Sequence, residues 1–112
     1  MHAVVETPAY LSDAERLFTA EERAAIVDRI ASDPDCGVLI PGTGGIRKVR
    51  FGFGGRGKRG GSRIIYFLQG DEVPIFLLAV FAKNEKADLT PKERAGLAAS
   101  IKEMIATYRR RP

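Results

Sequence analysis

The chain has a single cysteine, Cys36, and a single histidine, His2. One cysteine cannot close an internal disulfide, and so few thiols suit a reducing cytoplasm. One histidine and one cysteine are too few ligands for a zinc site, so no metal is expected. A Ser-His-Asp or Cys-His arrangement fails for a related reason: His2 stands at a fraying end or edge strand without a placed partner. No basic segment followed by an apolar one opens the sequence, so secretion is not expected. The longest apolar run, Val73 to Ala82, is too short for a bilayer and contains Pro74. There is no internal repeat. Acidic residues are missing as well, from Cys36 through Gly70. Any enzyme built on this chain must therefore work with Lys and Arg.

Those residues are concentrated in one place. Between Gly44 and Leu68 lie seven cations, Arg47, Lys48, Arg50, Arg56, Lys58, Arg59 and Arg63. The chain as a whole has 18 basic and 14 acidic residues, a net +4. Without the seven it holds 11 basic against 14 acidic residues, a net −3. The basicity is one patch on a mildly acidic protein, and such a patch attracts polyanions, nucleic acid above all. With 112 residues, 45% of them hydrophobic and 29% charged, the chain has the size and composition of one folded domain spanning its whole length.

The periodicities predict an α+β fold. His2 to Thr7 suits a short strand stopped by Pro8, and Tyr10 to Phe18 a short helix. Thr19-Ala20-Glu21-Glu22 has the Thr-x-x-Glu form of a capping box and opens a helix running to about Ser32. Asp33-Pro34 ends that helix. Asp35 to Gly45 reads as a loop, Ile46 to Phe51 as a strand, Phe53 to Gly61 as a Gly-rich loop and Ser62 to Leu68 as a second strand. Gly70-Asp71 reads as a hairpin turn. Glu72 to Lys83 is apolar without alternation, which suggests a central strand covered on both faces. Thr90-Pro91-Lys92-Glu93 is a second capping box, and its helix aligns Leu97, Ala98, Ile101, Met104, Ile105 and Tyr108. The expected architecture is a small antiparallel sheet packed by two N-terminal helices and one C-terminal helix.

Gly52 to Gly57 matches G-x-G-x-x-G, but a dinucleotide site needs a helix after the glycines, and here a strand follows. Gly42 to Lys48 lacks the Gly-Lys-Ser/Thr end of a phosphate-binding loop. Strand alternation is more informative. Lys48 and Arg50 share one strand face, Val49 and Phe51 the other, and Arg63 lies on the face of Ile65 and Phe67. If the strands pair as a hairpin, Lys48, Arg50 and Arg63 converge. Three cations there would bind a phosphodiester and stabilise the added charge of a pentavalent transition state. A Lys beside other cations could also take a proton from a 2′-hydroxyl. The competing interpretation is an ordinary solvated sheet face with a solvated Gly-rich hairpin.

The segments GTGGIRKVRF, GKRGGSRIIYF and FAKNEKADLT, in this order, resemble the RelE superfamily of bacterial toxins, and its HigB branch in particular. The similarity spans nearly the whole chain. It implies a cytoplasmic, ribosome-dependent mRNA endonuclease acting in the ribosomal A site, by attack of a ribose 2′-oxygen on the adjacent phosphate. No metal or organic cofactor is implied. Lys48 and Arg50 match the family's paired basic strand residues, and Arg63 its transition-state arginine. A further family arginine falls at Asn84 and a family tyrosine at Thr90, leaving Lys83 and Lys86 as the supporting catalytic candidates. Arg47, Arg56, Lys58 and Arg59 are the candidates for binding nucleic acid, the last two on ribosomal RNA. Phe51, Phe53 or Phe81 could stack on a base. The implied partners are a helix-turn-helix antitoxin, the ribosome and mRNA, with operator DNA reached only through the antitoxin and no membrane. Two alternatives stay open: a ParE-like toxin acting on DNA gyrase, whose relatives generally lack the basic trio, and a non-catalytic RNA-binding domain.

Overall fold

The computed structural model describes residues 2–52, 61–82 and 89–109. In chain order they form β1 (Val4–Glu6), α1 (Pro8–Leu17), α2 (Ala20–Ser32), a 3-10 turn (Pro34–Cys36), β2 (Val38–Leu39), β3 (Ile46–Phe51), β4 (Ser62–Phe67), β5 (Ile75–Ala82) and α3 (Pro91–Arg109). The strands make one sheet in the order β1-β5-β4-β3-β2. The α+β class is as expected, but the sheet is not wholly antiparallel: β1 runs parallel to β5. The two strands are far apart in sequence, so no hairpin forces them to run in opposite directions.

Local chemistry explains where the helices start. Thr7 caps α1, accepting from the Tyr10 amide at 3.3 Å, and Pro8 occupies the first turn. Pro8 therefore both ends β1 and opens a helix, two residues ahead of the start expected at Tyr10. The Thr7 hydroxyl also donates to Leu77 O at 2.7 Å, which ties α1 to β5. Both capping boxes form. The Thr19 amide donates to Glu22 Oε1 at 2.9 Å and the Glu22 amide to Thr19 Oγ1 at 3.1 Å. Thr90 and Glu93 repeat the pattern at 2.9 and 3.1 Å.

The sheet is covered on both sides. Tyr10, Ala14, Ile26 and Ile30 of α1 and α2 pack against Ile64, Tyr66, Ile75, Leu77 and Val80. On the opposite face Ile101 of α3, with Leu97, Met104 and Ile105 around it, meets Ile46, Ile65, Phe67, Phe76, Leu78 and Phe81. Thus β5 is apolar on both faces, as its unbroken run predicts. Its alternation is interrupted where Ile65 pairs with Ala79 and Tyr66 with Leu77, leaving Leu78 as the extra residue of a bulge.

The segment expected to be a loop, Asp35 to Gly45, contains β2, which pairs antiparallel with β3 through Val38↔Lys48 and Leu39↔Arg47. Both of its residues are exposed, so an edge strand this short shows no burial pattern to find. Glycines turn the chain from β2 into β3. Gly45 has a φ of 134°, and a Cβ there would lie 2.7 Å from Leu68 O, so glycine is required both for conformation and for space. No helix among the described residues is long and apolar enough to cross a membrane.

Tyr10 is fully buried, and its hydroxyl has no hydrogen-bond partner among the described residues. Burial, reinforced by the charge of Glu6 and opposed by Arg23, pushes its pKa up to about 12. An unfolded tyrosine titrates near 10, so below that pH both states keep the proton and stability is unaffected. Between about pH 10 and 12 the unfolded chain gives up the proton first, and stability must fall as pH rises. Tyr10→Phe should make that decline shallower and cost under about 1 kcal/mol at pH 7, because it also removes an unsatisfied group. Urea unfolding at pH 7 and pH 11 checks this; a decline as steep as the parent's would contradict it.

Candidate active site

The β3–β4 register sets the site. Lys48 stands opposite Ile65, and Arg50 directly opposite Arg63. Arg63 in turn stands opposite Phe81 on β5. Ile46 and Ile65 on this face are buried toward α3, while Val49 and Phe51 pack toward α1 and α2. The apolar neighbours thus assign Lys48, Arg50 and Arg63 to one side, and alternation in the sequence predicts that convergence. Arg50 is exposed, whereas Lys48 and Arg63 are half-buried. Like charges directly opposite on adjacent strands are destabilising, so strand pairing alone gives no reason to oppose two guanidiniums. An anion between them removes the repulsion, and two guanidinium forks match the oxygens of a phosphate.

Lys48, Arg50 and Arg63 line a cleft of about 190 Å³ together with Cys36, Val38 and Val49. A larger hollow, about 570 Å³, opens between α1 and α3 beside Phe81. Asp13 and Glu93 are in its lining, so its charge suits an anion less well than the smaller cleft does. Chemistry, not size, singles out the cation cleft. Among the described residues no three His, Cys, Asp or Glu side chains gather as metal ligands would.

The other candidates fall into two groups. Arg47 is not brought to this face. Its guanidinium reaches back to the turn before β2, donating to Gly37 O at 2.8 Å and lying 3.4 Å from Asp35 Oδ1. Arg56, Lys58, Arg59, Lys83, Lys86 and Asn84 lie outside the described residues, as does Phe53. Thr90 spends its hydroxyl on capping α3. Phe51 belongs to the α1–α2 side of the sheet, and Phe81, 6% exposed, is core beside Arg63 on the neighbouring strand. His2 pairs with Asp71 at 3.0 Å, apart from the cations.

Three contributors escape sequence reasoning. Cys36 and Val38 form a wall of the cleft, and Tyr66 holds that wall. The Tyr66 hydroxyl donates to Pro34 O at 2.6 Å and accepts from the Gly37 amide at 2.8 Å. Burial raises the Tyr66 pKa well above the ordinary phenol value, with the Gly37 N–H pulling the other way, so the group stays a neutral donor near neutral pH. No spacing in the sequence links residues 34–37 to residue 66; only the folded sheet does.

Residues 18–111 match the family model described as the RelE toxin of the RelE/RelB toxin–antitoxin system. Among solved structures, the chain is similar to a mutant of the E. coli toxin RelE in the free state. The two share 15% identity with a TM-score of 0.56, over 76% of this chain and 86% of the other. At that identity the likeness speaks to the fold, a sheet with flanking helices.

If the cation face binds a nucleic-acid backbone, affinity must depend on salt. Each phosphate contact on a single strand contributes a log–log slope of about −0.7. Lys48→Ala and Arg50→Ala should each flatten the salt dependence of binding to a labelled single-stranded RNA by about 0.7. Fluorescence anisotropy over a salt series reads this, and slopes equal to the parent's would leave the face an ordinary solvated surface.

Proposed function

Because the chain belongs to the RelE toxin family, we propose that it is the toxin of a type II toxin–antitoxin pair, HigB-like in detail, which cuts mRNA on the ribosome. The observation that carries this reading is Arg50 facing Arg63 across β3 and β4, with Lys48 on the same side. The proposed chemistry uses these cations and no metal. The 2′-hydroxyl of the ribose attacks the adjacent phosphorus, Lys48 takes its proton or clamps the phosphate, and the bond to the 5′-oxygen breaks. That oxygen leaves with a proton from a general acid. The products are a 2′,3′-cyclic phosphate and a 5′-hydroxyl end.

Each residue has a physical task in this scheme. Charge on the non-bridging oxygens grows toward the transition state, so fixed guanidiniums at Arg50 and Arg63 gain most there. Substrate positioning converts the attack into an effectively unimolecular step. Lys83 and Lys86 support the phosphate, while Lys58 and Arg59 of the Gly-rich segment engage ribosomal RNA and Arg56 binds nucleic acid. Arg47 contributes positive potential from behind the sheet. The whole chain acts as one toxin domain in the cytoplasm. Its partner is a small helix-turn-helix antitoxin, which holds the basic patch off the ribosome and carries the pair to operator DNA.

Arg63 should then matter more to cutting than to docking. Removing one such donor costs about 10²–10³ in rate, or roughly 3–4 kcal/mol. Arg63→Ala should lose that much in single-turnover mRNA cleavage on programmed ribosomes, while binding weakens only modestly. Arg63→Lys should recover part of the loss, since Lys lacks the planar fork. A folded Arg63→Ala protein that cuts at the parent rate would displace the catalytic face. A parent protein that leaves mRNA intact but inhibits gyrase supercoiling would transfer the chain to the gyrase-directed reading.

A further inference from the structure

The cation cleft has one wall that does not belong to the β3–β4 hairpin. Cys36 and Val38 line it together with Lys48, Arg50 and Arg63; Cys36 ends the 3-10 turn after α2, and Val38 is the first residue of β2. This segment, residues 34–38, is short and partly exposed, and Asp35 within it is an exposed acid. Its place is set from the other side of the sheet. Tyr66, wholly buried on β4, takes hold of it at two backbone points, Pro34 O and the Gly37 amide. The Cys36 Sγ lies 3.9 Å from the same hydroxyl. Arg47, which stands opposite Tyr66 in the β3–β4 ladder, adds a third hold through Gly37 O.

These holds bear directly on Lys48. Val38 is the ladder partner of Lys48, and Arg47 is its chain neighbour. Gly37 sits so close to both that a Cβ there would fall 2.7 Å from Tyr66 Oη and 3.0 Å from Lys48 O. The φ of Gly37 is −87°, which any residue adopts, so the glycine is there for room. The turn, the Tyr66 hydroxyl and the Lys48 backbone thus form one close-packed unit. A shift of the turn would press on the Lys48 backbone or displace the Cys36 and Val38 lining of the cleft.

We infer that Tyr66 is a positioning residue for the cation cleft: its hydroxyl pins residues 34–38 against β3 and so fixes Lys48 relative to Arg50 and Arg63. The inference rests on the nuclease reading above. Tyr66 touches no substrate; it acts through Lys48. A phenylalanine would fill the same core volume but would leave Pro34 O and the Gly37 N–H without their partner. The turn would keep the Arg47 hold, its own Cys36 N–H to Asp33 O bond and the pairing of β2 with β3.

The test uses Tyr66→Phe and, as a second variant, Gly37→Ala, which keeps the hydroxyl but wedges the turn. Cys36 is the only thiol in the chain, so its labelling rate with a maleimide reports the wall directly. Thermal unfolding confirms that each variant is folded. Misplacement of a reacting group by about 1 Å can cost about a hundredfold. Both variants should label Cys36 several times faster and lower the maximal single-turnover cleavage rate by about ten- to a hundredfold, with half-saturation changed by less than about twofold. In a Lys48→Ala background, Tyr66→Phe should change the remaining rate by less than about twofold, because the two act as a unit. An equal loss with and without Lys48 would make Tyr66 a stabilising residue only and overturn the inference. So would Tyr66→Phe cutting at the parent rate. A parent protein that does not cut mRNA on ribosomes would defeat the nuclease reading, and this inference with it.

Discussion

The register of β3 against β4 is the constraint on which the site depends. With Arg50 opposite Arg63, Lys48 falls on the same face and Val49 and Phe51 on the other. A slip by one residue would turn Lys48 and Arg50 toward α1 and α2, and would bring Val49 and Phe51 out. Burying two cations in an apolar layer without partners is far costlier than any gain in pairing. The apolar residues of β3 therefore enforce the geometry of its charged ones. Tyr10, Ile26 and Ile30, which hold the α1–α2 layer against the sheet, indirectly aim the cations on its other side.

The same arrangement sets stability against chemistry. Facing guanidiniums weaken a strand pair, and the loss is offset by β4 and β5, whose pairing is apolar on both faces. Beside Arg63 stands Phe81, and beside Lys48 stands Ile65, so buried apolar residues flank the cations in the sheet. Packed neighbours limit the rotamers available to a long side chain and so help to hold its head group in place. The turn before β2, tied to Tyr66 and Arg47, contributes Cys36 to the lining of the cleft.

Much of this was legible in the sequence, and for identifiable reasons. Thr19 and Thr90 announce their helices because a capping box is a local motif, complete within four residues. Ile46–Phe51 has the expected bounds, and its faces follow from a period of two. The unalternating run before Ala82 gives a strand buried on both sides, because burial on both faces removes any need for polar residues. Features made by distant residues were not legible. The parallel pairing of β1 with β5, the two-residue strand Val38–Leu39, and the hold of Tyr66 on the turn at residues 34–37 all depend on chain segments that meet only after folding. Arg47 shows the difference most clearly. By composition it is one more cation of the patch, and by alternation it faces away from Lys48 and Arg50, toward Asp35. Thr7 shows a different failure: Pro8 reads as a stop, although the same residue pair is also a helix start.

Contact between Arg63 and the scissile phosphate is central to the proposed chemistry, and sulfur substitution at that phosphate measures it. Programmed ribosomes carrying mRNA with a single phosphorothioate at the cut, each diastereomer separately, are cleaved in single turnover by the parent and by Arg63→Ala. Sulfur accepts a guanidinium hydrogen bond more weakly than oxygen. One diastereomer should therefore slow the parent markedly and leave the already slow Arg63→Ala protein nearly unchanged. Equal slowing of both proteins by both diastereomers would show that Arg63 does not touch the reacting phosphate, and the cation face would lose its assigned role.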